Sequence, residues 1–306
     1  MNQFKSTYSK FKYILNPIII IYACLVVILI ALFIREYIAS QIVTPPVAKI
    51  DHFANLQLKA KAVYVFDEKE NKVLFEKNSH SPLPLASITK LMSLHCSLQH
   101  LDKEAYVEVP DRVYAFNDGA TSTGAFEEWK TRDLAIYTLI TSSNTGAETL
   151  AKYAGGEDKV IDCMNTEALK LNLFDTKFDS VTGLDIDIGA GIAGAYGSAE
   201  NVVTMLRNIY INDTDIISKT VFPDYEIKSK NGRIHKAVNT NIVAQKMTGF
   251  LASKTGLTDL AGGNITYIMD AGLNHKIFVA LLGSTEDERF TDALTINDAV
   301  IKSFLN

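Results

Sequence analysis

The chain has 306 residues, 47% of them apolar, and a formal net charge of −5. Residues 1–60 hold six Lys/Arg against two Asp/Glu, which leaves −9 on residues 61–306. An acidic body of that kind excludes nucleic acid as the natural partner, because phosphate backbones reward basic patches.

From Ile14 to Ile34 the only clearly polar residue is Asn16. As a helix this run crosses a hydrocarbon core of roughly 30 Å. The expected organisation is a short cytoplasmic tail (1–13), a transmembrane signal-anchor helix (14–34), an extracytoplasmic linker (35–60) and one catalytic domain (61–306). Lys5, Lys10 and Lys12 precede the run, whereas Arg35 is offset by Glu36, so the positive-inside bias puts the N-terminus in the cytoplasm. Cleavage near Ala39-Ser40 stays open as an alternative. Thr44-Pro45-Pro46 enforces extended backbone in the linker.

The domain begins with two strand-like runs, 62–67 and 72–76, joined by a polar turn, which predicts a β-hairpin. Residues 86–101 read as a helix with Leu91, Leu94, Leu98 and Leu101 as its apolar stripe. Further helices are expected at 132–140, with Thr131 as cap, and at 144–153, 157–171 and 198–209. Strands return at 250–255, 264–270 and 276–283, followed by a last helix over 290–304. Strands at both ends and helices between them imply an α+β fold. One antiparallel sheet would join the N-terminal hairpin to the C-terminal strands, with an all-helical lobe alongside.

Three short strings recur in order: Ser87-Ile88-Thr89-Lys90, Ser142-Ser143-Asn144 and Lys254-Thr255-Gly256. Ser87 and Lys90, three apart at a helix start, share one face, where the dipole favours developing negative charge. A serine hydroxyl needs a base. Lys90 can be one only where its neutral form is accessible, which burial and a second cation, Lys254, would promote. Ser142 and Asn144 stand at a turn between two helices, with Ser143 pointing elsewhere. Ser142 could relay a proton, and Asn144 could hold Lys90 and a substrate carbonyl. Lys254 and Thr255 end a strand and would face the cleft together to bind a carboxylate. Gly256 permits close approach, and the N–H groups of Ser87 and Leu257 are the natural oxyanion donors. Each string alone is ordinary capping or turn chemistry; the ordered set points to acyl transfer without histidine.

Together with Leu83-Pro84-Leu85-Ala86, Gly183-Leu184-Asp185, Asn239-Thr240-Asn241 and Ala261-Gly262-Gly263, these blocks resemble the low-molecular-mass penicillin-binding proteins. These are the serine-type D-alanyl-D-alanine carboxypeptidases of peptidase family S11, within the β-lactamase/transpeptidase-like superfamily. The resemblance implies Ser87 as acylated nucleophile, Lys90 as base, Ser142 and Asn144 as relay and positioning groups, and Lys254, Thr255 and Arg289 in substrate recognition. It implies peptidoglycan pentapeptides ending in D-Ala-D-Ala as substrate, β-lactams as covalent inhibitors, no cofactor, and a place in the bacterial cell membrane. The alternatives are a class A-like β-lactamase, a transpeptidase, and a non-catalytic penicillin-binding sensor. A β-lactamase needs a deacylating Glu with an Asn four residues on; here Glu167 is followed by Leu171 in a helical pattern. The six histidines show no metal-ligand spacing, and no metal site is assigned. Cys96 and Cys163 are expected as two buried free thiols, although a bridge is allowed outside the cytoplasm.

Overall fold

A computed structural model describes residues 2–41, 51–110, 123–124 and 126–305. The chain divides into two units, residues 1–50 and 51–306. The first holds helix α1, Asn2–Gln41, which extends beyond the apolar run at both ends. Within it, Pro17–Ser40 is long and apolar enough to span a membrane. Thr44-Pro45-Pro46 lies outside the described residues.

The second unit is built on a five-stranded antiparallel sheet. The hairpin of β1 (Ala62–Asp67) and β2 (Lys72–Lys77) is followed by a short β3 (Leu83–Pro84). A 3-10 turn, Ala86–Thr89, then runs into α2 (Lys90–Leu98). The helical lobe contains α3 (Thr131–Thr141), α4 (Asn144–Tyr153) and α5 (Glu157–Lys170), with β4 (Tyr106–Glu108) and β5 (Glu128–Lys130) paired before them. Short strands β6 (Lys177–Phe178) and β7 (Ala195–Gly197) lead to α6 (Ala199–Asn212) and α7 (Thr214–Ile217). A hairpin, β8 (Asp224–Lys228) and β9 (Ile234–Val238), precedes the three long strands. These are β10 (Phe250–Thr258), β11 (Gly262–Asp270) and β12 (Lys276–Ser284), and α8 (Glu288–Leu305) closes the chain. The sheet order is β10-β11-β12-β1-β2.

The two-residue period of a strand sorts the core into two layers. On one face Val63, Val65, Ile265, Tyr267, Val279 and Leu281 pack against Phe290, Ala293 and Ile296 of α8. On the other, Ala62, Tyr64, Phe66, Ile268, Phe278 and Ala280 join the core of the helical lobe. Every residue of β1 is buried, as expected for a strand covered on both sides. Each fully buried Val, Leu or Ile contributes roughly 1.5–3 kcal/mol relative to leaving it exposed. Sandwiching the sheet thus gives a rigid frame from which β10 projects the last of the three motifs.

The cysteine expectation is corrected. Cys96 and Cys163 form a disulfide, with Cα atoms 5.9 Å apart. The packing of α2 against α5 sets that spacing, which lies within bridging range. The helices fall where the periodicity puts them, but the expected 86–101 helix is a 3-10 turn, Ala86–Thr89, followed by α2 ending at Leu98, and Lys130 rather than Thr131 is the cap residue of α3.

Candidate active site

The three motifs converge. Ser87 lies on the 3-10 turn ahead of α2 and is half-buried, whereas Lys90 is fully buried one turn later. The Lys90 ammonium donates to Ser87 Oγ at 2.9 Å, Asn144 Oδ1 at 2.6 Å and the Thr182 carbonyl at 2.9 Å. Three acceptors match the three hydrogens of an ammonium group.

Local backbone chemistry accounts for each placement. Ala86 adopts φ +50°, a left-handed conformation that a side chain resists, and so turns the chain sharply before the nucleophile. Gly183 abuts this turn: a Cβ there would stand 2.0 Å from the Ala86 carbonyl oxygen, and its φ is +80°. The segment carrying Thr182 is wound by hydroxyls, with Ser180 Oγ accepting from the N–H groups of Thr182 and Gly183, both at 3.1 Å. Asp185 then ties the segment to the end of β10 through Thr258 Oγ1 (3.0 Å) and the Leu260 N–H (3.1 Å).

Ser142 is the left-handed C-cap of α3 at φ +63°. Ser143 turns away and caps α4, its Oγ accepting from the Gly146 N–H at 3.0 Å. One residue of inverted backbone therefore sends Ser142 and Asn144 towards the two lysines while Ser143 serves the helix.

Lys254 is 1% exposed and donates to Ser142 Oγ at 2.8 Å and to the Thr255 carbonyl at 2.7 Å. Burial drives its pKa well below the ordinary lysine value, and the charges of Lys90 and Arg289 act in the same direction. Thr255 follows on the other face of β10. Strand alternation and register place Lys254 on the helical-lobe side with Ala252, but Thr255 on the side of Ile265. The two do not share a face; Thr255 Oγ1 instead donates to Thr240 Oγ1 at 2.7 Å.

Gly256 allows β10 to touch the nucleophile turn. A Cβ there would lie 2.8 Å from the Leu85 carbonyl oxygen and 3.3 Å from the Ser87 nitrogen. The N–H groups of Ser87 and Leu257 thus belong to adjoining segments. Arg289, from α8, is 7% exposed and donates to the Gly256 carbonyl at 2.7 Å. Burial pulls its pKa down, and Glu286 and Asp287 push back.

Two participants had no role in the sequence reading: the Thr182 carbonyl and the Thr240 hydroxyl. A backbone carbonyl carries no residue-type signal. Thr240 lies within the Asn239-Thr240-Asn241 block, where its recurrence in the family pattern was the only pointer. Glu167 lies apart on α5, bonded to Lys170 at 2.8 Å. It lines a polar cavity of about 450 Å³ with His95, Gln99, Lys103 and Asp213, at the opposite end of α2 from Lys90. The buried His95 and His235 and the half-buried His275 are paired with carboxylates: Asp213, Glu127 and Asp67 respectively. Among the described residues no group of three or more His, Cys, Asp or Glu is placed to hold a metal ion.

Residues 48–284 match the family model Peptidase_S11, described as D-alanyl-D-alanine carboxypeptidase. The chain belongs to this family. The chain is similar to DacF, a D-alanyl-D-alanine carboxypeptidase of Bacillus subtilis, 27% identical over 243 residues, which make up 77% of this chain and 60% of DacF. The match thus spans about six-tenths of that relative's length. In fold the chain is similar to the crystal structure of a Mycobacterium tuberculosis D-alanyl-D-alanine carboxypeptidase (TM-score 0.72, 23% identity, 83% of this chain and 94% of that one). It is also similar to penicillin-binding protein D2 of Listeria monocytogenes in its ampicillin-bound form (TM-score 0.68, 24% identity, 82% and 99%). The expected α+β architecture of the family is therefore the one observed. Arg289 lies just beyond the matched residues.

Proposed function

We propose that the protein is a serine D-alanyl-D-alanine carboxypeptidase that removes the terminal D-alanine of peptidoglycan stem peptides through a Ser87 acyl-enzyme. The observation that carries this reading is the Lys90 Nζ contact to both Ser87 Oγ and Asn144 Oδ1. It joins a nucleophile to a base without histidine.

In its neutral form Lys90 takes the Ser87 proton as Oγ attacks the carbonyl of the penultimate D-alanine. The tetrahedral oxyanion is held by the N–H groups of Ser87 and Leu257. Ser142, bonded to Lys254, passes a proton to the leaving amine and is reprotonated from the Lys90 ammonium, so the proton taken from Ser87 ends on the departing D-alanine. The peptide bond breaks, D-alanine departs, and water hydrolyses the ester to regenerate Ser87. Lys254 on one face of β10, with Thr255 and Arg289 on the other, brings positive charge and a hydroxyl to this edge strand, an arrangement suited to a free C-terminal carboxylate. That favours a carboxypeptidase. Slow deacylation of a penicilloyl adduct follows from the position of Glu167, which is engaged with Lys170 on α5. β-Lactams are accordingly covalent inhibitors in this reading. Helix α1 serves as a single-pass anchor with the N-terminus cytoplasmic and residues 61–306 outside, consistent with the lysines that precede its apolar run.

The test uses the full chain in detergent with a fluorescent penicillin and with a peptide ending in D-Ala-D-Ala, for wild type and Ser87→Ala. Wild type should be labelled and should release D-alanine, and Ser87→Ala should do neither. Labelling that survives Ser87→Ala, or wild type that releases no D-alanine, overturns the assignment.

A further inference from the structure

We propose that Asn264 is a positioning residue for acylation, one that seats the nucleophile turn against β10 and so sets the spacing of the two oxyanion donors; this rests on the function proposed above. Asn264 lies on β11 directly opposite Gly256 of β10 and has no exposed surface. Its side-chain amide donates to the carbonyls of Pro84 at 2.9 Å and Leu85 at 3.1 Å, and its Oδ1 accepts from the Gly283 N–H at 2.7 Å. These partners fix the orientation of the amide, since carbonyls need its NH2 and an N–H needs its oxygen. One side chain thereby joins β11, the irregular end of β12 (Gly283 has φ +69°) and the residues that lead into Ser87.

The geometry transmits directly to the chemistry. Leu85 is two residues before Ser87, and its carbonyl rests against Gly256, the residue before Leu257. The oxyanion donors, the N–H groups of Ser87 and Leu257, come from these two segments. Ala86, between Leu85 and Ser87, is held in a left-handed conformation that a loosened turn would relax. No other side chain is seen to donate to the Pro84 or Leu85 carbonyl among the described residues. Asn264 touches neither Ser87 Oγ nor Lys90, so it acts through the backbone it clamps.

Asn264→Asp preserves shape but replaces the donor with a carboxylate facing two carbonyl oxygens. Asn264→Ser leaves a gap that water can partly fill. In the full chain, penicillin acylation at saturation should slow by about 10- to 100-fold in Asn264→Asp and less in Asn264→Ser. The non-covalent dissociation constant should stay within about twofold, because the carboxylate-binding corner is untouched. Amide hydrogen exchange over residues 84–90 should accelerate in both variants, with residues 250–255 unchanged. A folded variant acylated at the wild-type rate, or one altered only in the dissociation constant, overturns the proposal. Should wild type take no penicillin, the proposed function falls; hydrogen exchange then decides Asn264 by itself, unchanged exchange over 84–90 refuting it and local acceleration supporting it.

Discussion

The start of α2 and the middle of β10 each carry a buried lysine, and the two are built differently. Lys90 is surrounded by three neutral oxygens from three segments: a hydroxyl, a side-chain amide and a peptide carbonyl. Lys254 has one hydroxyl and its neighbour's carbonyl. Both of its acceptors are neutral, and burial disfavours its charge. The difference shows how one residue type fills two roles. Lys90 is held by a fork of groups that orient it on Ser87, whereas Lys254, in the proposed function, is the cation that an incoming carboxylate completes.

Substitution should separate those roles. Lys90→Ala is expected to lower the acylation rate by roughly 10²–10⁴-fold, the usual contribution of a positioned base, read by stopped-flow penicillin binding. Lys254→Met should cost about 10–100-fold in kcat/KM on a peptide with a free carboxylate, and much less on the same peptide amidated. The same change removes a buried charge without a carboxylate partner and should raise unfolding stability by roughly 1–3 kcal/mol, measured by denaturant titration. Loss of stability in Lys254→Met would erase the contrast.

The pH dependence has a definite sign. In the proposed function Lys254 binds a carboxylate only while charged, and its folded pKa lies well below 10.5. As pH rises through that lowered value, KM should rise, and Lys254→Arg should move the alkaline limb upward, because a guanidinium keeps its proton. Stability runs the other way. Between the folded pKa and the unfolded value of 10.5 the unfolded chain holds the extra proton, so stability grows with pH across that window. Below the window the cost of burying the charge is present in full. On the Lys90 side, Gly183→Ala should destabilise by about 2–4 kcal/mol, since it adds a Cβ where the Ala86 carbonyl lies and strains a positive φ. Breaking the bridge should have the smallest effect on activity. Cys96→Ser with Cys163→Ser loses up to about 4 kcal/mol by the chain-entropy estimate for a 67-residue separation. Acylation should remain near wild type, because Cys96 lies six residues beyond Lys90 on α2.

Much of this was legible in the chain. Apolar runs rich in β-branched and aromatic residues over 62–67 and 276–283 marked strands, and the leucine stripe marked α2, because such composition and spacing are local properties. The convergence of Ser87, Lys90, Ser142 and Asn144 was legible for a different reason: their spacing within elements is fixed by helix and turn geometry. What escaped depends on packing between distant segments. The Cys96–Cys163 pairing follows from how α2 lies on α5. The split between Lys254 and Thr255 follows from simple strand alternation, which the shared motif obscured. The β8–β9 hairpin was not among the expected strands, since its exposed alternation (Ile234, Lys236 and Val238 outward) leaves few apolar positions to mark it.

The bridge also has a topological consequence. Residues 97–162 form a covalently closed loop, and Ser142 and Asn144 lie inside it. A protease that cuts that loop once cannot release the turn bearing them from the segment bearing Ser87 and Lys90. Nicked protein should therefore run as one band without reductant and as two with it. It should keep its capacity for acylation until the bridge is reduced.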